Sequence, residues 1–417
     1  MSTADLSIQD PATLAWLERV QRPALIAGGA GAVLCALAAV IAPRWFLPAY
    51  LVAFLFWLGI ALGALGAVML HQLVGGVWGF VIRRLAEAAT LTLPLMALLF
   101  LPIVLGMHSL YPWADAEEVG TSAALQHKAP YLNVTWFLIR AAIYFAVWIG
   151  LALLIRLGSR RQDEVPESYP TRWTQTLSGP GLVLWFLAIT FAMVDWAMSL
   201  EPEWYSTIYG AMLLVGFSLS ALAMLVIVAE RLAGARPLSL VATSEGFHDL
   251  GNLLLAFTML WAYISLSQYL IVWMGNLTEE IPWYLRRSQG GWWGLALGLI
   301  LFHFFLPFFL LLFRARKRRP SELVRVCWVL LAMHFFDLCW LILPAFPRNS
   351  SGAPNILAFW GVVPAMVGIG GLWLAVAAWF LRARPLLPLH DPLLEEVFEH
   401  HGEDHGQVHE KPTERIA

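Results

Sequence analysis

Apolar stretches of transmembrane length recur along the chain and are separated by short polar segments. A helix needs about 20 mostly apolar residues to cross a ~30 Å hydrocarbon core, so each stretch predicts one membrane-spanning helix. The sequence therefore predicts an all-α polytopic membrane protein with ten transmembrane helices. The predicted spans are 23–42, 48–73, 85–107, 132–156, 179–201, 206–232, 248–274, 291–313, 323–345 and 355–381.

The composition supports this prediction. Hydrophobic residues make up 59% of the 417-residue chain and charged residues only 13%, whereas soluble domains carry about 25% charged residues. A formal net charge of -2 gives no support for nucleic-acid binding. The three cysteines have no CxxC spacing, which leaves too few thiolates for an iron-sulfur cluster or a zinc finger. The polar N-terminus lacks the basic region of a cleavable signal, so the first helix should act as its own signal.

Lys and Arg residues are distributed unequally between the two sides of the predicted helices. Cytoplasmic loops hold the excess of these residues, so their distribution predicts orientation. Most of the 26 Lys and Arg fall on the side that carries both termini. We therefore expect both termini to be cytoplasmic. The few basic residues on the outer side are Arg44, Lys128, Arg286, Arg287 and Arg348.

A repeated spacing divides the middle of the chain into two halves. Asp195 stands seven residues before Pro202, and Asp337 stands seven before Pro344. Both halves run in the same sense, which predicts a parallel repeat of two four-helix bundles. The bundles would span 48–205 and 206–354, flanked by peripheral helices in 23–47 and 355–385, with residues 1–22 a cytoplasmic segment.

Residues 386–417 form an acidic, His-rich cytoplasmic tail that we expect to be largely disordered. Two interpretations of its histidines stay open, namely a divalent-metal site and a solvated low-complexity segment without fixed geometry. The histidines are His390, His400, His401, His405 and His409.

Ionisable residues inside the spans are the most informative for function. Burying one in hydrocarbon costs at least ~2.5 to 3.5 kcal/mol, so each must be paired, hydrated or useful. Arg140 and Asp195 lie at similar depth on adjacent spans, which favours an ion pair. His334 and Asp337 share a helix face, where the carboxylate can hold one imidazole tautomer or accept its proton.

Other buried groups leave more than one interpretation. Glu87, His248 and Asp249 lie toward the cytoplasmic ends of their helices, where snorkelling or helix capping would explain them equally well. His303 and His334 lie level on consecutive helices, so haem b ligation, satisfied core histidines and a proton relay all stay open.

Several stretches resemble the polysulfide-reductase (NrfD-like) family of membrane subunits, in particular those of bacterial alternative complex III. The similarity covers about a quarter of the chain. It lies in HKAPYLN at 127–133, EPEWYSTIYGAMLL at 201–214 and SEGFHDLGNLLLAFTMLWAYISLSQYLIVWMGNLTEEIPWY at 244–284.

The resemblance implies a subunit of a quinol-oxidising oxidoreductase in the bacterial cytoplasmic membrane, and not an independent enzyme. Such a chain binds no redox cofactor itself, although quinone binding is possible, and haem and iron-sulfur clusters belong to partners. The implied partners are lipid, a quinol-binding NrfD-like paralogue, an iron-sulfur protein, a multihaem cytochrome c and small membrane subunits. No quinone-site motif can be matched residue by residue.

The family members are proposed to carry proton half-channels, which the resemblance transfers to the buried ionisable groups. The candidates are Glu87, His248 and Asp249 in the cytoplasmic half, and Arg140, Asp195, His334 and Asp337 in the outer half.

Two other functional classes fit the sequence. A proton-coupled secondary transporter also has internal repeats and midplane charges, although its helix breaks usually occupy matching positions in the two halves. The prolines that interrupt the predicted helices do not occupy matching positions; they are Pro94, Pro102, Pro307 and Pro364. An inert membrane anchor for extrinsic redox subunits would require the buried carboxylates to be structural pairs.

Overall fold

The computed structural model describes residues 10–165, 169–346, 360–391 and 394. Within this part of the chain ten helices are long and apolar enough to cross a membrane, which confirms the prediction of an all-α polytopic protein. They are α1 Pro11–Ile41, α2 Pro43–Val74, α3 Val77–Leu105, α4 Val134–Glu164, α5 Arg172–Leu200, α6 Tyr209–Leu232, α7 Ser244–Gly275, α8 Trp292–Leu312, α9 Pro320–Ala345 and α10 Val362–Arg382.

The helices define two ends of the molecule. We call the end at which α1 begins and α10 ends the basic face, and the other end the opposite face. On the basic face, the carboxylate of Glu18 near the start of α1 is paired with Arg382, the last residue of α10. On the opposite face, short helices fill the longer connections. They are Ala116–Thr121, Ala123–Lys128 and Ile281–Ser288.

The first helix is longer than its apolar stretch predicts, because it begins at Pro11 instead of residue 23. The Asp10 side chain accepts a hydrogen bond from the backbone amide of Ala12 at 2.8 Å, and proline is well tolerated at a first helical position. The polar residues that follow therefore extend α1 beyond the membrane core. Most of the segment 1–22, expected to precede the helix, belongs to it.

The middle eight helices pack as two groups of four. In the first group, α2 contacts α3 and α5, and α4 contacts the same two helices. In the second group, α6 contacts α7 and α9, and α7 and α9 each contact α8. The two groups meet mainly through α2 and α6. Helix α2 is buried along its whole apolar length, so its surroundings are protein on every side. The parallel repeat itself stays a prediction.

Helices α1 and α10 form a separate pair at the edge of the first group. A Cβ atom on Gly31 would lie 2.4 Å from the Cα of Gly368, and one on Gly28 would lie 2.6 Å from the backbone of α10. Small residues at such spacing allow close helix approach in membranes. The other side of α10 packs on α2, where the Trp57 indole donates a hydrogen bond to the Met366 carbonyl at 3.1 Å.

Two spanning helices are irregular. Helix α3 is interrupted by a turn between Thr90 and Leu93, where a proline follows at position 94. Helix α8 contains a π-helical segment, Leu299–Phe305, in its middle. Short π segments inside α-helices are frequent at functional sites, and this one carries His303.

Candidate functional site

Arg140 and Asp195 form the predicted ion pair in the first group of helices. The guanidinium donates two hydrogen bonds to the carboxylate, at 2.7 and 3.0 Å, a bidentate geometry that is strong and directional. The Tyr144 hydroxyl donates a third at 2.8 Å. Asp195 is fully buried, and Arg140 also donates to the Tyr131 carbonyl and stacks on the Tyr131 ring at 3.9 Å. The carboxylate is therefore balanced by a positive charge.

Asp337 occupies the corresponding place before a proline in the second group, but its surroundings differ. The carboxylate is 6% exposed and accepts a hydrogen bond from the Trp261 indole at 3.1 Å. No described Lys, Arg or His forms an ion pair with it. The acid at this position is thus buried beside a neutral donor, whereas Asp195 is held by a guanidinium.

Two buried histidines lie in the same part of the second group as Asp337. The His303 ring packs on the Trp261 ring with their centroids 4.2 Å apart, and His334 lies between the rings of Phe56 and Phe217, each 5.9 Å away. Both histidines are essentially inaccessible to solvent. Among the described residues, none of their four ring nitrogens has a hydrogen-bond partner. No described protein group therefore satisfies these rings.

The helices around this cluster explain how it is assembled. The π-helical segment of α8 carries His303, α7 supplies Trp261, and α9 supplies both His334 and Asp337. Gly216 of α6 closes the fourth side, because a Cβ atom there would lie 2.8 Å from the His334 ring. We call Trp261, His303, His334 and Asp337 the histidine cluster. His334 and Asp337 are candidates that the sequence predicts for the outer half, and His303 is one of its buried histidines. No feature of the sequence distinguishes Trp261 from the other tryptophans, of which the chain has 21 in all.

A second buried ion pair, not predicted from the sequence, joins α5 to the opposite-face helix Ile281–Ser288. Arg287 is 1% exposed and donates to Glu201 at 2.7 Å and to the Leu341 carbonyl at 2.7 Å. Its guanidinium stacks on the Trp283 ring at 3.6 Å. Burial lowers the pKa of Arg287, and the nearby Glu201 carboxylate offsets only part of this effect. The guanidinium nevertheless remains charged at any ordinary pH. This pair fixes the connection before α8.

Glu87 lies in a buried charge network near the basic face, not at a snorkelling position. Its carboxylate accepts hydrogen bonds from Arg84 at 2.8 Å, Arg83 at 3.2 Å and Ser159 at 2.8 Å. Arg84 also pairs with Asp163 of α4. All of these side chains are buried or nearly so. The network therefore ties α3 to α4 by balanced charges.

The beginning of the predicted disordered tail completes this network, so the prediction of disorder is wrong for residues 386–391. Asp391 accepts a hydrogen bond from Arg83 at 2.5 Å and another from Gln162 at 3.0 Å, and Arg384 pairs with Asp163. Burial, followed by the nearby Arg84, lowers the pKa of Arg384. We call residues 384–391 the C-terminal strap, since they cross the basic-face end of α3 and α4.

The apolar residues of the strap explain why it packs. Leu386 and Leu387 are 1% and 0% exposed, and burying a leucine side chain contributes roughly 1.5–3 kcal/mol. The tail composition did not indicate this anchor, because the apolar residues of the tail are few among its Pro, His and acidic residues. The His390 ring contacts the Gln162 carbonyl at 3.1 Å, and the other four tail histidines lie outside the described residues.

His248 and Asp249 stand apart from Glu87. The closest approach of their own side chains is 3.5 Å, His248 also contacts Asn252 at 3.4 Å, and Asp249 is partly exposed. Across the described ranges no hydrogen bond or ion pair connects either residue with Glu87. The structure thus pairs Arg140 with Asp195 and places His334 and Asp337 on one helix beside Gly216, but it does not join the three candidates near the basic face.

Among the described residues no group of three or more His, Cys, Asp or Glu side chains is arranged to hold a metal ion.

The comparisons with known proteins do not assign the chain to a family. No family model and no curated protein matches the chain.

Proposed function

We propose that this chain is a membrane subunit of a bacterial quinol-oxidising complex, similar to the F subunit of alternative complex III, and that Asp337 transfers protons in its outer half. The redox groups would reside in the iron-sulfur and multihaem cytochrome partners. The quinol-binding paralogue would be the neighbour in the membrane, and the basic face would be cytoplasmic.

The observation that carries the proton-transfer proposal is the difference between the two buried aspartates. Asp195 is neutralised by Arg140, so its burial is explained by structure alone. Asp337 has only a neutral donor, the Trp261 indole, and the buried rings of His303 and His334 lie in the same cluster, with no described protein group bonded to their nitrogens. Leaving a buried polar group without a partner costs about 1–3 kcal/mol, so these rings are open to exchange hydrogen bonds or protons with water. Titratable groups gathered in this way favour proton exchange over a purely structural role.

The chemistry requires little of the chain itself. Quinol oxidation releases protons and electrons together, and a carboxylate near two imidazoles offers sites at which a proton can be held in turn. Trp261 fixes one oxygen of Asp337 through its indole N–H. The Arg140 pair and the Glu87 network would then be structural supports at the two ends of the first helix group. Any net pumping would require a conformational change driven by the redox subunits.

The positions of the helix irregularities disfavour a secondary transporter. The break in α3 and the π segment of α8 do not fall on helices that correspond in the two halves, since α3 corresponds to α7 and α8 to α4. Transporters built from repeats usually place such breaks on matching helices.

The first experiment is purification from native membranes in mild detergent, with identification of co-purifying chains and a reduced-minus-oxidised spectrum. Iron-sulfur and multihaem cytochrome partners with quinol oxidation are expected. A chain that purifies alone and colourless would overturn the respiratory assignment and favour the transporter.

The second experiment separates proton transfer from anchoring. Asp337→Asn should assemble with its partners but lower the proton-to-electron ratio of the reconstituted complex. Asp195→Asn should instead lower the yield of assembled complex. Cys339→Ala, a buried change on the same helix as Asp337, is the control and should leave the ratio unchanged. Loss of assembly in Asp337→Asn, or an unchanged ratio, would support an inert anchor.

A further inference from the structure

An apolar groove runs along the edge of the molecule between α1 and α10. Its volume is about 600 Å³, within the roughly 300–1,000 Å³ typical of sites for small molecules. All of its lining side chains are apolar or small. They come from α1 and its end between Ala27 and Ala42, including Ala30 and Gly31, and from the residues at the beginning of α10 between Trp360 and Val367.

The groove results from how the two helices cross. Their backbones touch at Gly31 and Gly368, and the lining residues follow one helix face on each side, at spacings of three and four. From Ala27 to Ala42 the groove extends about 22 Å along α1. The pair packs on α2 with another side of α10, so the groove opens away from the protein body.

We propose that this groove binds an acyl chain of a phospholipid whose headgroup lies at the opposite face. Arg44 supports the identity of the headgroup. It lies two residues beyond Ala42, is exposed, and forms no ion pair with any described residue. A guanidinium at the mouth of an apolar groove complements a lipid phosphate. Trp360 lines the same end, and tryptophan is enriched at the headgroup level of membranes.

The dimensions suit a hydrocarbon chain. The groove provides about 600 Å³ along a length of about 22 Å on α1, so it is long and narrow. One extended chain fits along it without separating α1 from α10, and a helix of another subunit is the alternative that the bound mass tests. This site shares no residue with the histidine cluster.

Native mass spectrometry of the protein purified from its membrane tests the proposal. Wild-type protein should retain about one phospholipid per chain as detergent concentration is raised. Ala30→Leu places a larger side chain in the groove and should lower retention at least tenfold. The control is Gly29→Leu on the same helix turn, where added atoms meet open space, and it should retain the lipid.

A second variant keeps the result clear if Ala30→Leu disturbs the helix pair. Arg44→Gln changes an exposed side chain outside the groove and should lower phospholipid retention several-fold while the protein remains folded. Equal retention in Ala30→Leu and Gly29→Leu, or no effect of Arg44→Gln, would overturn the proposal. So would a bound mass equal to that of a quinone or a peptide.

Discussion

Removing Arg140 should destabilise the protein more than removing Asp195. Arg140→Met leaves the Asp195 carboxylate, which is 0% exposed, without its cation. Breaking a buried ion pair by deleting one partner costs about 3–5 kcal/mol. The Tyr144 hydroxyl still donates to the carboxylate at 2.8 Å, so we expect the lower end of that range, about 3 kcal/mol.

Asp195→Asn should cost less, because the arginine left behind has other contacts. The Arg140 side chain is 16% exposed, and it keeps its hydrogen bond to the Tyr131 carbonyl and its stacking on the Tyr131 ring. We expect a loss of about 1–2 kcal/mol. The double variant should lose less than the sum of the single variants, with a coupling free energy of about 1.5 kcal/mol or more.

Equilibrium unfolding in mixed micelles of mild detergent and SDS measures these free energies, with tryptophan fluorescence as the signal. Arg316→Met is the control, since an exposed arginine away from buried networks should change stability by no more than about 0.5 kcal/mol. The reasoning is refuted if Arg140→Met costs less than Asp195→Asn, or if the effects of the two single variants are additive.

Three further predictions concern other parts of the fold. Arg287→Met should lower the free energy of unfolding by about 3 kcal/mol or more, and an unchanged thermal unfolding midpoint would contradict this. Gly31→Leu should destabilise by at least 1–3 kcal/mol because α10 backbone atoms occupy the space, whereas Gly29→Leu should have no effect in the same assay. Deleting residues 384–417 should increase proteolysis at the basic face through loss of the strap, and deleting only 395–417 should not; equal cleavage of both truncations would show that the strap does not protect this face.

Depth along a helix could be predicted from the sequence, but the direction in which a side chain points could not. The Arg140–Asp195 pair was predictable because both residues lie at similar depth on adjacent spans, where an unpaired charge is costly. Glu87, His248 and Asp249 also have similar depth. Their helices direct Glu87 toward α4 and place Asp249 at a partly exposed position, so depth alone grouped residues that do not touch.

Residues whose importance depends on tertiary contacts were not predictable. Trp261 is one of many tryptophans, and only its contacts with Asp337 and His303 distinguish it. Arg287 lies in a polar loop, where an arginine is ordinarily solvated, and its burial depends on the packing of Trp283 above it. The strap was hidden because composition averages a few anchoring residues with the charged residues that follow them.

The strap has a consequence for biogenesis. The arginines of α3 enter the membrane early in synthesis, whereas two of their carboxylate partners, Asp163 and Asp391, are synthesised later. Until Asp391 has left the ribosome, Arg83 lacks that carboxylate. The first helix group can therefore reach its final form only after the strap has been synthesised, so chains that stop before Asp391 should be recognised as incomplete by membrane quality control.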